Sequence, residues 1–202
     1  MSDGSLFSPL SVANDLSMSE RNVVEYIIYT DGGCSVNNKL FNCPGAYAFI
    51  VAESGDVEIG RECKRIEQTT NNRMELYAAI EGLRWLIKER TGLRSCDCTV
   101  ITDSKYLRDG YHEYLPEWKK NGWRKSDGRQ VMNLDLWRKL SELSPEFSSL
   151  RFQWVRGHAN HRQNCEVDTM VHDTLYGRKV AQARVVEKVL SDGDPEMSDI
   201  VA

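Results

Sequence analysis

The chain has 202 residues, of which 41% are hydrophobic and 28% charged, the balance of an ordinary globular protein with room for one core rather than two. A net charge of -4 provides no overall field that attracts nucleic acid, so an anionic partner must meet a local patch. No stretch reaches the roughly 18 apolar residues of a membrane span, and MSDGSLFSPLSVANDLSMSER lacks the basic-then-apolar pattern of a signal peptide, so an intracellular protein, cytoplasmic or nuclear, is expected.

Residues 1–21, rich in Ser, Asn and Asp without periodicity, are expected to form a flexible arm. Asn22–Thr30 reads as a strand of β-branched and aromatic residues, and Ala46–Val51 and Val57–Cys63, on either side of Ser54-Gly55-Asp56, as its antiparallel continuation. From Arg73 to Arg90 the period becomes helical, with Leu76, Ile80, Leu83 and Ile87 on one face and Gly92 as a stop. Thr99–Thr102 is a strand leading through Asp103-Ser104 into a short helix. Leu134–Leu143 is an amphipathic helix, Leu150–Val155 a final strand and Cys165–Tyr176 a third helix. This order predicts an α/β fold with a mixed five-stranded sheet, three antiparallel strands and then two parallel additions, flanked by helices over residues 22–177. Residues 178–202 read as a C-terminal helix, packed on the domain through Val180, Ala183, Val186, Val189 and Leu190, followed by an acidic tail.

The six cysteines (34, 43, 63, 96, 98 and 165) form no CxxC pairs and no dense framework, and free thiols in a reducing compartment are expected. The basic residues are unevenly spread: 118–131 holds Lys119, Lys120, Arg124, Lys125 and Arg129 against Asp127 alone, interleaved with Trp118 and Trp123. The segment 113–131 is too polar for a core and too aromatic for an idle loop.

Four acids stand at the ends of four separate segments: Asp31 in YTDGG, Glu75 in TTNNRMEL, Asp103 in ITDSKY and Asp168 in GHANHRQNCEVD. Apolar run, Thr-Asp, then small residues is a grammar that puts Asp31 and Asp103 at the carboxyl ends of strands, where α/β sheets bind ligands. Gathered carboxylates repel unless cations neutralise them, and oxygen ligands suit hard divalent ions. Each acid also has a plainer reading. Asp31 can be a turn former, Asp103 a helix cap with Ser104, Glu75 the partner of Asn72 in a capping-box-like pair, and Asp168 a solvent-facing helical residue.

The segments TTNNRMEL at 69–76, TDSKY at 102–106, EWKKNGWRKSDGRQVMNLDLW at 117–137 and WVRGHAN at 154–160, with Asp168 ten residues after His158, resemble ribonuclease H of type 1 from roughly Val24 to His172. The resemblance implies an endonuclease that cleaves the RNA strand of an RNA–DNA hybrid with two Mg2+ ions, Mn2+ being a substitute, and leaves 5'-phosphate and 3'-hydroxyl ends. By position, Asp31, Glu75, Asp103 and Asp168 match the metal ligands, and His158 the histidine of proton transfer or product release. Asn37 and Asn71, with Gln153 by weaker analogy, match contacts to the RNA strand, and Thr70 and Asn133 a pocket for a DNA phosphate. Tyr114 and Trp118 match the DNA-sugar channel, and Lys119, Lys120, Arg124 and Lys125 form a basic protrusion. A monomer with no obligate protein partner is expected.

The chain departs from the family pattern in three places: between Asp31 and Tyr47 it is long and lacks a Gly-Pro-rich loop, position 68 is Gln where many members carry Arg, and the arm lacks the pattern of a hybrid-binding domain. The competing readings are a catalytically idle hybrid-binding module and a metal-dependent nuclease of the wider superfamily with another substrate.

Overall fold

A computed structural model describes residues 24–35, 43–157 and 162–177. Five strands, β1 (Glu25–Cys34), β2 (Cys43–Glu53), β3 (Val57–Thr69), β4 (Asp97–Thr102) and β5 (Ser149–Trp154), form one sheet in the order β3-β2-β1-β4-β5. The pairs β1–β2 and β2–β3 are antiparallel, while β1–β4 and β4–β5 are parallel. This is the mixed sheet that the element order predicts. The helices are α1 (Asn71–Glu89), α2 (Lys105–Asp109), α3 (Leu115–Lys120), α4 (Leu134–Leu143) and α5 (Arg162–Tyr176), and a π-helical turn, Gly110–Tyr114, joins α2 to α3. No helix among the described residues is long and apolar enough to cross a membrane. The expected 1–21 arm and 178–202 tail lie outside the described residues.

Each face of the sheet buries its own set of side chains, as the two-residue period of a strand requires. On one face Ile28, Phe49, Val51 and Val100 pack with Leu76, Ile80 and Leu83 of α1 and Leu136, Trp137 and Leu140 of α4. On the other, Tyr29, Ala48, Ile50 and Ile101 pack with Val167, Met170, Val171 and Leu175 of α5.

Several boundaries differ from the sequence reading for identifiable reasons. Strand β1 does not end at Thr30: it continues through Asp31-Gly32-Gly33 to Cys34, because β2 still pairs with it (Asp31↔Ala48, Cys34↔Gly45) after its parallel partner β4 has stopped at Thr102. Asp31 therefore stands at the end of the parallel ladder and inside the strand. Helix α1 begins two residues earlier than predicted, after Thr70, so Asn72 lies within the helix and does not cap it. The capping-box reading of Glu75 fails on that geometry.

Candidate active site

The register of the sheet brings the first two acids together. Thr30 and Thr102 are the last paired residues of neighbouring parallel strands, so Asp31 and Asp103 leave the ladder side by side. Both threonines are fully buried; Thr30 Oγ1 donates to the Ile101 carbonyl (3.1 Å), and Thr102 Oγ1 accepts from the Ser104 N–H (3.1 Å). Ser104, not Asp103, caps α2, accepting from the Leu107 N–H at 3.3 Å. The Asp103 carbonyl accepts from Trp154 Nε1 (2.8 Å) on β5.

Glu75 reaches the same place from α1 because Gly32 lets helix and strand touch. A Cβ on Gly32 would lie 2.3 Å from the Met74 carbonyl carbon and 2.4 Å from the Glu75 nitrogen, so only glycine admits this approach. Gly157 plays the matching part on the far side: a Cβ there would lie 2.7 Å from Asp103 Oδ2. The next residue, His158, lies outside the described residues, as does Asn37.

Carboxylate oxygens of Asp31, Glu75 and Asp103 all lie within 4.8 Å of one another. Glu75 is 6% exposed, and its Oε2 has no hydrogen-bond partner. Burial, then the charges of Asp31 and Asp103, hold its carboxyl well above the ordinary range. Asp31 is pushed up to about 7, first by burial and then by the charges of Asp103 and Asp168, against a lowering hydrogen bond from the Gly32 backbone. Asp168, on α5, therefore contributes to the same field, although it is not among the three clustered ligand atoms. A buried carboxyl oxygen without a hydrogen-bond partner, surrounded by like-charged groups, fits coordination to a hard divalent cation. These three of the four acids singled out from the sequence could hold such an ion.

The residues matched to substrate contacts lie on surfaces around this cluster. Thr70 is the N-cap of α1 and its side chain makes no capping bond. Asn71 is exposed, and its Oδ1 accepts from the Cys34 N–H (3.0 Å), which aims its amide N–H groups outward. Asn133, in the left-handed region at φ 55°, precedes α4 and donates from Nδ2 to the Tyr106 hydroxyl (3.0 Å), which also accepts from Trp137 Nε1 (3.0 Å). The rings of Tyr114 and Trp118 stack at 5.8 Å and 19°, and Trp118 meets Trp137 edge-on at 5.4 Å. They border a groove of about 630 Å³ that Tyr106, Arg124, Lys125 and Met132 also line. Lys119 and Lys120 are exposed on α3, and Lys120 pairs with Glu117 (2.9 Å). Gln153 is exposed on the edge strand β5, and Gln68 is exposed near the end of β3.

The sequence reading passed over Tyr106, which sits in the TDSKY segment and whose hydroxyl anchors both Asn133 and Trp137. It likewise gave no role to Gly32 and Gly157, whose requirement for glycine arises from elements distant in the chain.

The family model of RNase H matches residues 24–176. A protein of Rhodopseudomonas palustris (strain TIE-1) named Ribonuclease H is 41% identical over 159 residues, 78% of this chain and 94% of its own length. One of Afipia carboxidovorans with the same name is 41% identical over 160 residues, 78% and 97% of the two chains. Among solved structures, LC9-RNase H1, described as a type 1 RNase H with the type 2 active-site motif, superposes with a TM-score of 0.65 at 28% identity, covering 80% of this chain and 76% of its own. LC11-RNase H1, solved in complex with an RNA/DNA hybrid, shares the fold at a TM-score of 0.56 and 20% identity, covering 75% and 97%. The acidic cluster at the end of the β1–β4 parallel ladder, the mixed sheet that presents it and the match over residues 24–176 lead to one conclusion: this chain belongs to the RNase H family.

Proposed function

We propose that the chain hydrolyses the RNA strand of RNA–DNA hybrids as an endonuclease, with Asp31, Glu75, Asp103 and Asp168 holding two Mg2+ ions. The observation that carries this reading is the convergence of the Asp31, Glu75 and Asp103 carboxylates within 4.8 Å, with Glu75 buried and one of its oxygens unpartnered. When bound there, divalent ions would acidify a coordinated water and offset the charge that develops on the scissile phosphate.

The chain's own residues do the rest. Glu75, whose backbone is seated on Gly32, would offer a carboxylate at the cluster's inner end once a cation offsets the burial and like charges that favour its protonated form. His158, which follows the glycine packed on Asp103, is assigned proton transfer at the leaving oxygen, a task suited to a side chain that titrates near neutrality. Asn71 and Asn37 are assigned to the 2'-hydroxyls that distinguish RNA from DNA. Asn71 is suited to it because its oxygen is already engaged by Cys34 and its amide donors are left for substrate. Thr70, at the N-terminus of a 19-residue helix, and Asn133 are assigned to one DNA phosphate. The stacked Tyr114 and Trp118 take a deoxyribose, while Lys119, Lys120, Arg124 and Lys125 supply sequence-independent backbone affinity.

A hybrid labelled inside its RNA strand tests this reading. Internal fragments bearing 5'-phosphate and 3'-hydroxyl ends are expected. Mononucleotides released progressively from one end would replace it with an exonuclease.

A further inference from the structure

Helix α5 carries Asp168, and both apolar packing and polar ties hold it against the sheet. Val171 and Leu175 meet the β1 backbone at Gly33, at 3.3 and 4.0 Å from the Cβ position of that glycine. Val167, Val171 and Leu175 share a buried cluster with Ala46, Ala48 and Ile50 of β2. Polar ties also reach α5 from the β2–β3 hairpin, along a side of the helix that flanks its apolar face. Gln163, Glu166, Met170 and Thr174 recur at helical spacing along that side, and each has a partner. Gln163 Nε2 donates to Asp56 Oδ2, and Arg61 Nη1 donates to Glu166 Oε1 (2.6 Å). Cys63 Sγ meets the Thr174 hydroxyl (2.9 Å) and donates to the Met170 carbonyl (3.4 Å).

The anchoring groups are themselves held. Asp56 Oδ1 accepts from the hydroxyl of buried Tyr29 (2.8 Å), a residue two positions before Asp31 on β1 and on the same side of the strand. Asp56 lies in the turn between β2 and β3 with a left-handed backbone, φ 65°, a turn conformation that Asp adopts more readily than most residues. Arg61 is fixed from behind by Glu58, to which it donates from Nε and Nη2. Arg61 thus bridges the edge strand β3 to a residue two positions before Asp168.

We infer that Arg61 and Asp56 are positioning residues that set the rotation of α5, and through it the reach of Asp168 toward Asp31 and Asp103 and the metal affinity of the site. The inference rests on the proposed function of the acidic cluster. Side chains that orient metal ligands from outside typically govern affinity by about 10–100-fold, and a tie acting through a helix belongs at the low end, near tenfold.

The test uses the full chain and follows the rise in melting temperature with added Mg2+, alongside cleavage of a hybrid over the same titration. Arg61→Met, which keeps the aliphatic stem, should raise the Mg2+ midpoint in both assays about tenfold, with kcat at saturating Mg2+ within about twofold of wild type. Arg61→Lys should recover most of the shift, and Glu166→Gln should reproduce it should Arg61→Met fold poorly. A lower melting temperature with an unchanged Mg2+ midpoint would reduce the clamp to scaffolding and overturn the inference. Asp103→Asn is the control for the reading beneath it: if that variant still melts higher with Mg2+ as wild type does, the cluster is not the metal site and both ideas fall.

Discussion

Asp31→Asn removes a charge that the metal-free protein holds at a cost. The folded carboxyl titrates at about 7 against an ordinary 3.8, so the folded state keeps a proton that the unfolded chain has already lost. The sign follows: Asp31 contributes stability in full below pH 3.8, and that contribution is lost as pH rises through about 7. Roughly three pH units at about 1.4 kcal/mol each put the ceiling near 4 kcal/mol. Burying the new amide takes back part of this, and a net gain of about 2 kcal/mol at pH 8 is expected. For a domain of this size that raises the melting temperature by about 4–8 °C.

The assay is thermal unfolding in chelator from pH 5 to 8, then with Mg2+. Wild type should lose stability toward pH 8 and regain it with Mg2+. Asp31→Asn should be flatter with pH, melt higher than wild type at pH 8 without metal, gain little from Mg2+ and lose more than about tenfold in turnover, as expected when an interaction made in the transition state is removed. A variant that melts at or below wild type at pH 8 without metal would refute the electrostatic reasoning.

Replacing Lys119, Lys120, Arg124 and Lys125 together by Ala should weaken hybrid binding and flatten its salt dependence, each lost phosphate contact removing about 0.9 from the log–log slope; an unchanged slope with a collapsed kcat would show the protrusion to be misassigned. Gln68→Arg, at an exposed position beside Thr69 and Thr70, should lower KM a few-fold with kcat unchanged, a new charge-assisted phosphate contact being worth roughly 1 kcal/mol. Combining it with Asn133→Ala should erase the gain, and an equal gain in the double variant would mean that no shared phosphate pocket exists. Gly32→Ala should cost about 3 kcal/mol or more, read by chemical denaturation, because strand and helix backbones must part by more than a side-chain adjustment allows; a loss below about 1 kcal/mol would contradict the contact.

The elements most legible in the sequence are those whose cause is local. Helix α4 spans the predicted Leu134–Leu143 because Leu136, Trp137 and Leu140 recur on one face, and the Thr-Asp segments place both aspartates at the carboxyl end of the parallel ladder. What stayed hidden arises from partners far apart in the chain. No window around Asp31-Gly32-Gly33 shows that β2 carries the strand onward or that the α1 backbone presses on Gly32. The π-helical turn has the same kind of origin: a Cβ on Gly110 would lie 2.3 Å from the Trp137 ring, so the turn winds against a residue of α4. The ties from β3 to α5 join residues more than 100 positions apart, as in Arg61–Glu166, and ordinary charged residues on an edge strand give no local sign of them. The carboxylate cluster was legible through its motifs, whereas the burial and orphaned oxygen of Glu75 became visible only once α1 was seated on β1.

The central claim is tested most directly by matched RNA–DNA, RNA–RNA and DNA–DNA duplexes of one sequence incubated with the full chain and Mg2+. Cleavage of the RNA strand in the hybrid alone, abolished by chelator, is the predicted result. Comparable cleavage of either homoduplex, or hybrid cleavage that persists in chelator, would contradict the account.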